Sequence, residues 1–150
     1  MTTEPLFRED AYLREAPATV IAAGPDGIVL DRTPFFAAGG GQPGDTGRLT
    51  LKDGTAIAVT ETVKGENGAI LHRVAEGAAL PEPGAAVIAA IDWDRRHRLM
   101  RMHTALHLLC ALIPGAAVTG GAIGDGKGRL DFDLPDPPAK EALNAGLATL

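Results

Sequence analysis

The chain has 150 residues, a formal net charge of −5, and 45% hydrophobic against 22% charged residues. That apolar content excludes a disordered chain, and the acidic balance excludes a generic nucleic-acid binder, so any contact with RNA needs a local basic patch. A single cysteine, Cys110, excludes an internal disulfide and fits a reducing cytoplasm.

The N-terminus carries no basic region followed by an apolar one, so no signal peptide is expected. No apolar run reaches the length of a membrane span. Residues 4–15 are short and mixed, an edge-strand pattern. Residues 18–31 read as a hairpin folded at Gly24-Pro25-Asp26-Gly27. Residues 33–47 form a loop rich in glycine. Further short strands are expected over 48–51, 56–63, 69–74 and 87–91. After Trp93 the period changes: Asp92 or Asp94 can cap a helix along which Leu99, Met102, Leu106, Leu109 and Ile113 recur, and Pro114-Gly115 ends it. A glycine-rich stretch over 120–128 follows, then a strand over 129–134 and a last helix from Ala139 with Leu143, Leu147 and Leu150 on one stripe, still running at the chain end. These elements predict an α+β fold. A small β-barrel-like N-terminal subdomain occupies residues 1–92, and the start of an α/β subdomain occupies 93–150, cut off in mid-element.

Three groups of residues could carry chemistry. His103 and His107, four apart in an apolar helical run, share one helix face and can share one Zn²⁺. The plain alternative is two polar residues on a partly exposed face. A catalytic zinc needs a third protein ligand. Cys110 lies on nearly the same face, His72 in its strand is a second candidate, and His97 points to another face, toward solvent. Gly39-Gly40-Gly41-Gln42 lets a backbone approach a ligand closely and adds the donor and acceptor of an amide, or is a plain surface loop. Arg95, Arg98 and Arg101, with Arg96 between them, are either a solvated helix flank or a strip for phosphates.

These residues together resemble the alanyl-tRNA editing proteins and the related editing domain of alanyl-tRNA synthetase. The resemblance is carried by Asp31-Arg32-Thr33-Pro34-Phe35-Phe36-Ala37-Ala38-Gly39-Gly40-Gly41-Gln42-Pro43-Gly44-Asp45-Thr46-Gly47, by Arg95-Arg96 through Met102-His103-Thr104-Ala105-Leu106-His107-Leu108-Leu109, and by Lys127-Gly128-Arg129-Leu130-Asp131-Phe132. It implies hydrolysis of the ester in mischarged tRNA(Ala), chiefly seryl-tRNA with glycyl-tRNA as a second candidate. It implies that residues 93–150 are part of a zinc-dependent tRNA editing subdomain, with Zn²⁺ held by His103, His107 and a later Cys-x-x-x-His segment. It implies that Gly39, Gly40, Gly41 and Gln42, with Thr33 nearby, line the pocket for the aminoacyl group, and that Arg95, Arg98 and Arg101 hold acceptor-stem phosphates.

Two departures stand out. Phe35-Phe36-Ala37 replaces the family's usual Phe-Tyr-Pro, and no Cys-x-x-x-His follows His107, so the resemblance predicts a fragment or a truncated product with half a metal site. On this reading Gln42 and the glycine N–H groups bond the aminoacyl end or the developing oxyanion. Thr33 is the candidate partner for a serine hydroxyl. Zinc either lowers the pKa of a bound water or binds the substrate. The alternatives are a zinc-free tRNA-binding remnant, an unrelated metallohydrolase completed by a carboxylate such as Asp131, and a structural β-barrel interaction module.

Overall fold

Alternation with a period of two governs the chain as far as Ile91. The computed structural model describes residues 2–149, and its strands are β1 (Glu4–Pro5), β2 (Glu15–Gly24), β3 (Gly27–Leu30), β4 (Arg32–Thr33), β5 (Gly47–Leu51), β6 (Ala56–Lys64), β7 (Ile70–Val74) and β8 (Ala86–Ile91). Along β2, Ala16, Ala18 and Val20 are buried while Glu15, Pro17 and Thr19 face solvent, as a half-buried strand requires. The strands close into a six-stranded barrel in the order β2-β3-β7-β6-β5-β8, bearing out the small barrel expected of an α+β chain. Register shifts between Val20 and Ala22 and between Val59 and Glu61 bend the long strands as closure demands.

The barrel is filled by Val20, Ile28, Leu30, Phe35, Leu49, Val59 and Ala89, each at most 2% exposed. Gly27 is a case where only glycine fits: its φ is +135°, and a Cβ there would lie 2.8 Å from the His72 carbonyl oxygen. The N-terminal residues depart from an edge strand over 4–15. Only Glu4–Pro5 pairs, parallel to Arg32–Thr33, and a 3₁₀ turn over Leu6–Arg8 follows.

The described residues divide into two compact units. One holds the chain up to Gly39 together with Pro43–Arg96, and the other holds Gly40–Gln42 together with the chain from His97 on. Helix α1 (Trp93–Ala111) supplies its first turn to the barrel unit. Asp92 caps it, its Oδ1 accepting the Arg95 N–H at 3.1 Å. In the second unit, β9 (Ala117–Gly124) and β10 (Lys127–Asp133) form an antiparallel hairpin, followed by α2 (Lys140–Leu147).

Three expectations need correction here. The glycine-rich stretch from Gly120 is largely strand, because β9 pairs antiparallel with β10; Gly128 of β10 leaves no room for a side chain, since a Cβ there would meet Met102 Sδ at 2.9 Å and Leu106 at 3.1 Å. The β10 strand begins at Lys127, before Arg129. Helix α2 is described over Lys140–Leu147, and after it the Thr149 N–H donates to the Gly146 carbonyl at 3.1 Å, a tighter turn; Leu150 lies outside the described residues. No described helix is long and apolar enough to cross a membrane.

Candidate functional site

The spacing of four residues on α1 stacks the two imidazoles. The His103 and His107 ring centroids are 4.9 Å apart and the planes differ by 10°. His103 is partly buried, and its Nδ1–H donates to Gln42 Oε1 at 3.1 Å. A carbonyl oxygen only accepts, so this bond fixes the tautomer and leaves the lone pair on His103 Nε2. Gln42 itself is 7% exposed.

Both histidines line a cavity of about 540 Å³ together with Gly40, Gly41, Cys110 and Thr119. Gly40 and Gly41 have φ of +61° and +78°, a left-handed pair that favours glycine. The Gly41 carbonyl accepts the Ile123 N–H at 2.7 Å, and a Cβ on Gly41 would lie 2.7 Å from the Gly121 oxygen. The loop tip is therefore held against β9 by a backbone contact that only glycine allows.

The donor chemistry suits a metal in part. Two imidazoles share a face, and one has its far nitrogen tied to an acceptor, which is the usual arrangement around a metal-bound histidine. Among the described residues, no three His, Cys, Asp or Glu side chains come together to hold a metal, so Cys110 does not complete a triad although it lines the same cavity. Asp131 joins none either; its carboxylate lies by Arg129, at 3.3 Å.

The remaining histidines are placed differently from expectation. His97 is half-buried, not turned wholly to solvent. His72 is not among the residues that line the cavity; it is fully buried within the barrel unit. Its Nδ1–H donates to the Ile28 carbonyl at 2.9 Å, and its Nε2 accepts the Thr33 hydroxyl at 2.7 Å. The Thr33 oxygen in turn accepts the Phe35 N–H at 3.2 Å. Burial pushes the His72 pKa down to about 4, against a smaller opposing effect of the Ile28 bond. Thr33 is 0% exposed, and its hydroxyl proton is committed to His72.

The arginines divide three ways. Arg96, in the middle of the basic run, is 3% exposed and belongs to the barrel unit. Its guanidinium grips both Asp45 oxygens, with Nε at 2.9 and 2.8 Å and Nη2 on Oδ2, and also donates to the carbonyls of Pro34 at 2.8 Å and Ala11 at 3.1 Å. Arg95 donates to the Gly44 carbonyl at 2.8 Å. Arg98 forms an exposed two-point pair with Asp125 at 2.7 and 2.9 Å, and Arg101 is exposed. Two members of the expected phosphate strip are thus already partnered within the chain. The Arg96–Asp45 clamp was invisible in sequence, where Arg96 reads as one more surface charge.

Comparison with known proteins adds an independent line. The family model for tRNA synthetases class II (A) matches residues 10–95. The alanyl-tRNA editing protein AlaX-M of Saccharolobus solfataricus is 42% identical over 135 residues, covering 88% of this chain and 57% of the relative. AlaX-M of Methanosarcina acetivorans is 44% identical over 140 residues, with 88% and 57% covered. The alanine–tRNA ligase of Pyrobaculum aerophilum is 47% identical over 109 residues, 71% of this chain and 12% of the ligase. The chain spans a little over half the length of the AlaX-M relatives it matches.

Proposed function

The chain belongs to the class II (A) tRNA synthetase family, among its alanyl-tRNA editing proteins, and from that premise we propose that it hydrolyses the ester joining a wrong amino acid, chiefly serine and secondarily glycine, to the acceptor end of tRNA(Ala). Water adds to the ester carbonyl and the tRNA 3′ oxygen leaves with a proton, giving free amino acid and uncharged tRNA. Its place of action is the cytoplasm, where tRNA is charged. The observation that carries this reading is the stacked His103–His107 pair, with Gln42 bonded to His103, in a cavity of about 540 Å³.

His103 and His107 are the residues of this chain that would hold zinc. When bound, the metal supplies Lewis acidity toward water or a carbonyl oxygen. Gln42 is the positioning residue: by accepting the Nδ1–H it fixes which nitrogen of His103 is free. Gly40 and Gly41 present no side chain between the aminoacyl end and the backbone. Exposed Arg101 is available for a phosphate, which makes binding weaken with salt.

The test is deacylation of seryl-tRNA(Ala). Gln42→Ala is expected to lower kcat/KM about 10–100-fold, with an unfolding midpoint close to the parent's. Gln42→Glu keeps an acceptor for the Nδ1–H and is expected to retain most of the activity. Unchanged deacylation by Gln42→Ala would remove Gln42 from the mechanism. A parent chain that leaves seryl-tRNA intact would remove the substrate assignment.

A further inference from the structure

We infer that the outer face of the barrel over β6, β5, β8 and β2 is a docking surface for the phosphate backbone of RNA; the identity of that RNA, a tRNA, rests on the editing function proposed above. The first observation is strand register. On β5, Leu49 turns into the core while Arg48 and Thr50 turn outward. Pairing sets Arg48 beside Ala58 of β6 and Ala90 of β8, and Thr50 beside Ala56 and Ile88. One strand further, Ile88 lies opposite Pro17 of β2, and Ala86 opposite Thr19. Lys52, just past β5, lines one groove of about 440 Å³ with Thr50, Ile88, Pro17 and Thr19. The face is therefore low, built of alanine, proline and threonine around Ile88, with exposed Arg48 and Lys52 at either end of the β5 row.

The second observation is charge. Among the described residues, neither Arg48 nor Lys52 forms an ion pair. Four residues of strand set them about 13 Å apart, a span of more than one phosphate along a nucleic-acid strand. Arg32 lines the same groove but stands 3.6 Å from Glu4 and 3.5 Å from Asp31, so its charge is already matched. Glu15 is the carboxylate of the paired rows, and Ala90 separates it from Arg48. Uncompensated cations on a chain of net charge −5 confine the attraction for a polyanion to this face. A second copy of the chain matches it poorly, because a two-fold dimer sets the same patch against itself and brings like charges together. Small side chains also suit phosphate contacts, which need close approach and no pocket that reads a base.

The experiment is binding of uncharged tRNA(Ala), followed by fluorescence anisotropy from about 50 to 200 mM salt. Each phosphate contact adds about 0.9 to the slope of log affinity against log salt. Arg48→Gln with Lys52→Gln is therefore expected to flatten the parent's slope by about 1.8 and to weaken binding about tenfold at the lower salt. Arg48→Lys with Lys52→Arg keeps both charges and should keep the slope. Arg8→Gln with Lys140→Gln removes the same charge from exposed positions outside the face and should leave slope and affinity near the parent's. An unchanged slope in Arg48→Gln with Lys52→Gln overturns the inference. Equal flattening in Arg8→Gln with Lys140→Gln also overturns it, since net charge alone would then explain the loss. So does a parent dimer that the Arg48 and Lys52 changes dissociate, which gives the face to a second copy. Deacylation of seryl-tRNA(Ala) separates this from the proposed function, because the Arg48 and Lys52 changes should raise KM and leave kcat unmoved. A parent that binds tRNA through these cations yet leaves seryl-tRNA intact retains the face and loses the editing reaction. A parent that edits, with KM unmoved by the two changes, retains editing and loses the face.

Discussion

Replacing Asp45 by alanine is expected to destabilise the protein by about 3–5 kcal/mol, because it strands a buried guanidinium without its counter-charge. Arg96 is 3% exposed and Asp45 1%, so water cannot take the place of the lost carboxylate. The carboxylate does more than neutralise charge. Its Oδ2 accepts the Phe36 N–H at 2.7 Å, and the Asp45 backbone N–H returns a bond to the Phe36 carbonyl at 2.9 Å. Arg96 also donates to Pro34, so one guanidinium ties the chain just before Phe35 to the chain just after Gly44. The Thr62 hydroxyl donates to the Asp45 carbonyl at 2.9 Å and fixes the same point to β6. A loss of this size is a large part of the roughly 5–15 kcal/mol that stabilises a typical domain.

Two comparisons sharpen the Asp45 experiment. Arg98→Ala breaks an exposed pair with Asp125 and is expected to cost no more than about 1 kcal/mol. The double change Asp45→Leu with Arg96→Met removes both charges and is expected to cost less than Asp45→Ala alone. Chemical unfolding of the three variants measures this directly. Equal costs for Asp45→Ala and Arg98→Ala would show that burial does not set the strength of the clamp.

How much of this could be seen in the residues depended on range. The barrel strands were legible because burial alternates along each one, as in Ala16, Ala18 and Val20. The histidine pair was legible because its partners are four residues apart on one helix. Strand β9 was not, since Gly120, Gly121 and Gly124 suppress strand propensity, and what a Cβ on each would meet lies on the paired strand β10, at Asp131, Leu130 and Lys127. Arg96 looked like its neighbours because its partner Asp45 is 51 residues away. The bond between Thr33 and His72 left no mark for a similar reason, since the two residues lie 39 positions apart. The cavity wall at Thr119 depends on a bulge, and a one-residue irregularity in pairing leaves no mark on a stretch of small residues.

Acidification from pH 7 toward pH 4 is expected to remove about 3 kcal/mol of stability through His72 alone. The Nδ1–H bond to the Ile28 carbonyl and the Thr33 hydroxyl donating to Nε2 describe a neutral imidazole with both nitrogens used. Protonating Nε2 would set a donor against a donor and place a charge beside the edge-packed Phe35 ring, 5.1 Å away between centroids. The folded pKa is accordingly about 4, against 6.5 for the unperturbed group. Below pH 6.5 the unfolded chain takes up a proton that the folded chain refuses, so stability falls with falling pH. The slope approaches about 1.4 kcal/mol per pH unit, and the contribution is exhausted below about pH 4, where both states are protonated. The upper part of that window, from about pH 6.5 to 5, lies above the ordinary carboxylate range and isolates histidine. Urea unfolding of the parent should therefore lose stability steeply there. His72→Gln should be less stable at pH 7, by about 1–3 kcal/mol for imperfectly satisfied buried partners, but nearly flat with pH across the same window. If parent and His72→Gln declined in parallel, the acid sensitivity would belong to other groups, and the buried imidazole would be titrating like an exposed one.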